Sequence, residues 1–286
     1  MKKVLLRILI IGIFFLCAGS LLRGRMYGSR TIFRLLGKQK QQATNPPKQL
    51  KPVPPTIIGE KAYKVPVLRY HYISVNGGKD DKIGAAPFTP PKIFEEQLKL
   101  MAKRGYTTIT LDELAAAFDG KFILPVKPVI LTFDDGYADF YFTAAPLLQK
   151  YQMKAIAFIA TGLIGGGNYM TWGQIEELAK SPLIVFGAHS VHHDYLHKVA
   201  QEVLIYEVEE SKRVLESHIG YRVNWFAYPF GFFNEAVVTA VQKAGFIGSV
   251  TTIPESLQYQ SRFFYIPRLR GGTTTGGSFL KLLQSG

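Results

Sequence analysis

The segment Pro128-Val129-Ile130-Leu131 is a wholly apolar run of strand length that breaks into Thr132-Phe133-Asp134-Asp135-Gly136. Two adjacent carboxylates at the end of a buried run are costly to hold together. Like charges side by side raise one another's pKa unless something positive neutralises them, and a bound cation is the usual neutraliser. A second apolar run, Leu183-Ile184-Val185-Phe186, leads into His189-Ser190-Val191-His192-His193. Asp with two His is a metal-ligand set, in which hard oxygen and borderline imidazole suit zinc or a similar first-row divalent ion and leave a position open for water. Taken singly, Asp-Asp-Gly is an ordinary turn and a His-x-x-x-His pair only marks one face of a helix. Together they say more, because residues at the C-terminal ends of strands in α/β folds converge on one rim.

The rest of the chain supports such a fold. Strand-like runs at Val67-Leu68, Ile130 to Phe133, Ala155 to Ala160, Ile184 to Ala188, Trp225 to Tyr228 and Gly248 to Thr252 alternate with amphipathic stretches. One stretch, Pro91 to Arg104, places Phe94, Leu98 and Met101 at i, i+4 and i+7. Others cover Phe140 to Tyr151 and Gln201 to Ile219, and Thr110 to Glu113 and Thr171 to Gln174 read as capping boxes that open helices. That alternation predicts an α/β chain with a parallel sheet. At 286 residues and 47% hydrophobic content, the chain has the material for one sizeable core, which excludes disorder for its bulk.

At the residues quoted above the chain resembles the polysaccharide deacetylase family, also known as carbohydrate esterase family 4 or the NodB-homology family. The resemblance covers most of residues 65 to 286. The Thr-Phe-Asp-Asp-Gly element stands unaltered at 132 to 136, and the family's His-Ser element with a later His is met by His189, Ser190 and His193. A third element, Phe226-Ala227-Tyr228-Pro229-Phe230-Gly231, is similar to the family's groove-lining loop, with Ala227 standing where the commonest pattern has an Arg that contacts the catalytic Asp. The late Leu-x-His element is also altered, since Ile266-Pro267-Arg268-Leu269 has no His. Both departures resemble the poly-N-acetylglucosamine deacetylase branch, in which an early Tyr-His replaces the late His; here that is Tyr70-His71.

The resemblance implies a distorted (β/α) barrel and a metal-dependent removal of N-acetyl groups from an N-acetylglucosamine-containing polysaccharide, either poly-N-acetylglucosamine or the glycan of peptidoglycan. It implies Asp135, His189 and His193 as ligands of a divalent metal, zinc first, with cobalt, nickel or iron as alternatives. Asp134 would be the general base and His71 the acid that protonates the departing amine. Tyr228, Pro229, Phe230, Trp172 and Arg268 would line the groove, with the Phe230 N–H facing the oxyanion and Arg268 orienting Asp134 in place of the missing Arg. Two alternatives stand beside this: an esterase removing O-acetyl groups from xylan, and a membrane-tethered carbohydrate-binding protein without activity. His192 points away from the ligands if its segment is extended.

The formal charge of +13 is uneven. Residues 1 to 64 carry 13 Lys or Arg against the single Glu60, whereas residues 65 to 286 carry 21 against 20. A near-neutral domain argues against a nucleic-acid partner, and the basic leader reads as membrane-proximal. Ile8 to Leu22 carries no charge; with Val4-Leu5-Leu6 and a snorkelling Arg7 it is long enough to span a bilayer. Residues 1 to 24 are therefore expected to be a signal anchor or signal peptide, residues 25 to 64 a basic, Pro-rich spacer, and residues 65 to 286 an extracellular catalytic domain, membrane-anchored or secreted. The Arg and Lys that follow the apolar segment outnumber those before it and oppose that orientation. The single cysteine, Cys17, permits no intrachain disulfide.

Overall fold

The computed structural model of the protein describes residues 59–75 and 87–285. The expected leader and almost all of the spacer lie outside the described residues. Among the described residues no helix is long and apolar enough to cross a membrane.

The centre is a curled sheet in which every neighbouring pair is parallel. Its strands are β2 (Val67–Tyr70), β3 (Thr107–Thr108), β4 (Pro128–Phe133), β5 (Ala155–Ile159), β6 (Ile184–Ala188), β7 (Trp225–Ala227), β8 (Gly248–Val250) and β10 (Leu269–Arg270). They lie in the order β10-β2-β4-β5-β6-β7-β8, with β3 added on β4. Val250 forms a parallel bridge with Ile266, three residues before β10, so the two edges of the curl approach each other. A separate antiparallel pair joins β1 (Ala62–Lys64) to β9 (Leu257–Tyr259). Ala62–Lys64, expected in the spacer, are thus part of the folded unit.

Parity along the strands sorts the core into two faces, because successive side chains of a strand point to opposite sides. Val67, Ile130, Ile156, Phe158, Trp225, Ala227, Val250 and Ile266 fill one face and are closed off by α2 (Leu111–Phe118) through Leu111 and Leu114. Leu68, Tyr70, Leu131, Phe133, Ala157, Ile159, Phe186, Phe226 and Tyr228 fill the other, against the surrounding helices. These are α1 (Pro91–Lys103), α3 (Ala145–Lys150), α4 (Trp172–Leu178), α5 (Gln201–Ile219), α6 (Glu235–Lys243) and α7 (Gly276–Gln284). Strands buried on both faces read as continuous apolar runs, and β4 has no exposed residue.

Local chemistry fixes the helices. Pro91 opens α1, where its missing N–H costs nothing. Both expected capping boxes are present, Thr110 with Glu113 and Thr171 with Gln174. Gly220 ends α5 in a left-handed conformation. The expected helix over Phe140 to Tyr151 is instead a wide π turn, Phe140–Ala144, running into α3. Pro146 sits at the junction and cannot donate to the ladder, which favours the change of pitch.

Trp225 is the largest side chain on the inner face and is 1% exposed. Gly248 on the neighbouring strand is needed there: a Cβ would lie 2.5 Å from the Trp225 ring and 2.5 Å from the Phe263 carbonyl. Trp225→Ala is expected to lower unfolding free energy by about 3–5 kcal/mol, read from the urea midpoint at unchanged slope.

Candidate active site

Two strand ends build the site. Asp134 prolongs β4, its N–H donating to the Tyr70 carbonyl at 3.0 Å, and His189 prolongs β6, its N–H donating to the Ile159 carbonyl at 2.9 Å. By parity Asp134 follows Ile130 and Thr132 on the inner face, His189 follows Val185 and Gly187, and His71 follows Val67 and Arg69. Asp135 would fall on the outer face, but its φ of 79° turns the chain and sends its carboxylate elsewhere. The two adjacent acids are thereby given different partners.

Asp135 Oδ1 lies 3.2 Å from His189 Nε2 and 3.2 Å from His193 Nε2, with all three residues buried. The His189 Nδ1–H donates to the Ala227 carbonyl at 2.7 Å, since a carbonyl can only accept. In the neutral ring Nε2 then carries a lone pair and faces the carboxylate, and Asp135 Oδ1 is a buried acceptor without a hydrogen-bond partner. Lone pairs converging on one point are what a cation needs. The three donors lie within 4.8 Å of one another and form a set suited to a first-row divalent ion, so the residues present fit such a metal.

Asp134 is matched differently. Arg268, 2% exposed, grips it with two parallel bonds, Nη1 to Oδ1 at 2.7 Å and Nη2 to Oδ2 at 2.8 Å. The same guanidinium donates to the Thr132 hydroxyl at 3.0 Å and the Thr251 carbonyl at 2.8 Å. Burial alone would raise the Asp134 pKa, but Arg268 outweighs it and holds the carboxyl at about 2. Asp135 is likewise held well below the usual range when His189 and His193 are protonated and donate to it, their hydrogen bonds and charge then outweighing its burial. His71 Nε2 lies 3.9 Å from Asp134 Oδ2, and burial pushes its pKa down to about 4, against the pull of both acids. At neutral pH its ring is uncharged.

Backbone strain gathers here. Among the described residues five other than glycine have positive φ, and four of them, Asp135, Ser190, His193 and Phe230, belong to this group. Each such residue is costly, and clusters of them mark sites whose geometry is imposed by the surroundings. Ser190 Oγ accepts from the His193 N–H at 3.0 Å, tying the two histidines into one turn. Phe230 packs its ring against His193, with centroids 4.4 Å apart, and Tyr195 stacks on Phe230 at 4.1 Å. Gly231, φ 75°, has no room for a side chain, as a Cβ would overlap Thr252.

A residue the sequence reading missed holds this turn in place. Glu207 is fully buried on α5 and accepts from the N–H groups of Val191 at 2.9 Å and His192 at 2.8 Å, while its second oxygen meets His192 Nδ1. The signal was present: Val203, Glu207, Ser211 and Leu215 form an i, i+4 stripe that is otherwise apolar or small. An acid inside such a stripe needs partners.

Two expected groove residues are not brought to the group. Tyr228 is buried on the outer face, where its hydroxyl meets the Phe264 carbonyl and Ser249. Strand parity requires this, since Tyr228 alternates with Ala227 and Pro229. Trp172 stacks on His218 at 3.9 Å, in the last turn of α5, which is about 16 Å along the helix from Glu207. Pro229 is buried beneath Phe230 in the turn that contacts His193.

The family model described as polysaccharide deacetylase matches residues 123–248. YxkH of Bacillus subtilis (strain 168), named for the same family, is 30% identical over 219 residues, covering 77% of this chain and 75% of that protein. The poly-beta-1,6-N-acetyl-D-glucosamine N-deacetylase of Staphylococcus aureus (strain MSSA476) is 28% identical over 192 residues, covering 62% of this chain and 65% of that enzyme. Among solved structures, the Streptococcus pyogenes deacetylase PplD in complex with acetate superposes with a TM-score of 0.71 at 29% identity, covering 79% of this chain and 99% of that one.

Removing one member of a buried ion pair strands the other charge. Arg268→Met is therefore expected to cost about 3–5 kcal/mol in urea unfolding. Asp134 also predicts a pH signature. Its folded pKa of about 2 lies below the unfolded value near 4, so its contribution is present above about pH 4 and is lost as pH falls toward 2. The expected loss is about 2 kcal/mol, and in Asp134→Asn this part of the acid limb should be missing.

Proposed function

We propose that this chain, which belongs to the polysaccharide deacetylase family, is a metal-dependent hydrolase that removes N-acetyl groups from an N-acetylglucosamine-containing polysaccharide of the cell surface. The observation that carries the reading is the convergence of His189 and His193 on the buried, unsatisfied Oδ1 of Asp135, next in the chain to the Asp134 that Arg268 grips. The relatives' names point to acetylated glycans, and the staphylococcal one to the β-1,6-linked polymer.

Asp135, His189 and His193 would hold the metal, zinc or a similar first-row ion. When bound, it supplies Lewis acidity, so that water attacks near neutral pH and negative charge on the acetamide oxygen is stabilised. The protein's own groups then move protons. Asp134, fixed by Arg268, would accept the water's proton, with His71 Nε2 3.9 Å from its Oδ2. His71 begins neutral and becomes the acid only when that proton reaches it, so the proton lost by water is the one delivered to the departing amine. Without that delivery the C–N bond would have to expel an amide ion. In the Phe230 turn the N–H groups of Gly231 and Phe232 are used on the carbonyls of Tyr228 and Pro229. The Phe230 N–H is the amide left to meet the oxyanion.

The test is acetate release from β-1,6-linked N-acetylglucosamine oligomers by the purified protein. Chelation should abolish release and added zinc restore it; full activity in a metal-stripped sample would overturn the reading. Asp134→Asn and His71→Ala should each lower kcat by about 100-fold to 10,000-fold with metal content unchanged. A near-normal rate in His71→Ala would remove it from the proton path.

We further propose that the domain lies outside the cytoplasmic membrane, tethered by residues 1 to 24, as an extracellular polymer requires. The charge-free run Ile8 to Leu22 and the five prolines between Pro46 and Pro55, which suit an extended spacer, support this. Protease added to intact cells should digest the domain, and survival until lysis would reverse the orientation.

A further inference from the structure

Beside the reacting groups stands a pair of arginines that the proposed chemistry does not use. Arg69 is half-buried between Val67 and His71 on β2. In the parallel register it has Thr132 on one side and Arg270 on the other, so Arg69 and Arg270 are direct neighbours at the rim. Partners in a parallel ladder share a face, and strands lie about 4.8 Å apart. Among the described residues neither guanidinium has a hydrogen-bond or ion-pair partner, and Arg69 Nε is buried and unsatisfied.

The nearby acids, Asp134 and Asp135, offset these charges only in part. Both oxygens of Asp134 are engaged by Arg268, and Asp135 faces two histidines. Two carboxylates against Arg69, Arg268 and Arg270 leave a positive charge over before any cation binds. Arg69 responds to its surroundings: burial first, then Arg268, push its pKa down to about 10, which still leaves it charged at neutral pH. Like charges placed opposite one another across a ladder are destabilising, and a half-buried charge without hydrogen bonds adds to the cost. An oxyanion between the two forks would relieve both, because guanidinium geometry matches carboxylate and phosphate oxygens.

We propose that Arg69 and Arg270 form a subsite, at the mouth of the reactive centre, for an oxyanion carried by the glycan substrate on or next to the sugar whose acetamide is cleaved. The inference rests on the deacetylase reading and sharpens it: the preferred substrate is an anionic acetylated glycan, not a neutral one.

Two probes separate the cases, a neutral β-1,6-linked N-acetylglucosamine oligomer and the same oligomer bearing one phosphate monoester. Wild-type protein should show a kcat/KM about tenfold higher for the phosphorylated oligomer at low salt, the size expected of one charge-assisted contact. In Arg69→Gln, and in the exposed-site variant Arg270→Gln, the ratio of the two rates should fall to about one, whereas Arg69→Lys should keep part of it. Equal wild-type rates for the two oligomers, or a ratio unmoved in both Gln variants, would overturn the subsite. Calorimetric binding of the same oligomers to the full chain reports on the subsite even where no acetate is released. Failure of acetate release with tighter binding of the phosphorylated oligomer sinks the deacetylase reading alone. Acetate inhibition identifies the other source of an oxyanion. If Arg69→Gln relieves inhibition by acetate while the wild-type ratio is already one, the arginines serve the released product and the proposal fails.

Discussion

Two consecutive acids at the end of one buried strand set the terms for everything around them. A single counter-charge could not serve both, because side chains of consecutive residues in a regular strand point to opposite faces. The protein separates the problem. Asp134 keeps strand parity, points inward and receives a bidentate guanidinium that also reaches Thr132 and Thr251. Asp135 leaves the strand through a left-handed conformation and meets two imidazoles. Arg268 leads into β10 at one edge of the sheet and the histidines follow β6 in its middle, so the pair of acids is satisfied only when β10 has paired with β2, which lies next to β4. The polar centre and the topology therefore require one another.

Loops of this kind are stabilised from outside themselves. Ser190 and His193 both occupy positive φ and would relax if the turn were free. Glu207 prevents that by accepting two successive backbone N–H groups from a helix that packs against the sheet. The burial of α5 through Leu204, Val208 and Leu215 is what places that carboxylate, so apolar packing on the outer face supports polar geometry on the inner one. The same logic applies to the Phe230 turn, which is held by the close approach of Gly231 to Thr252.

Much of this was legible in the sequence, for identifiable reasons. Strands β4, β5 and β6 are buried on both faces and announce themselves as apolar runs, and helices α1, α2 and α5 carry a period or a cap that acts locally. The cluster of Asp135, His189 and His193 was legible because it follows two of those runs. The strands that escaped, β1, β3, β9 and β10, are two or three residues long and owe their conformation to neighbours distant in sequence. The π turn at Phe140–Ala144 escaped because its cause is a change of hydrogen-bond spacing within a pattern that still reads as helical. Aromatic residues were the hardest to assign. Tyr228 looked like a groove residue by adjacency to Pro229, yet parity along β7 sends it to the outer core; Trp172 followed a helix cap, and what it meets depends on where α5 ends.

Charge explains why the inner face of the sheet changes character along its length. At the base, Val67, Ile130, Ile156, Trp225 and Ile266 make a dry layer closed by α2. One step further along the strands the same face carries Arg69, Thr132 and Arg270, with the guanidinium of Arg268 reaching up from the level of Val67, and a further step brings His71, Asp134 and His189. A low-dielectric floor beneath ionised groups strengthens every interaction among them and penalises any left unmatched. That is why Arg268 makes four hydrogen bonds, and why Arg69 and Arg270, with none among the described residues, carry charge that the two acids offset only in part.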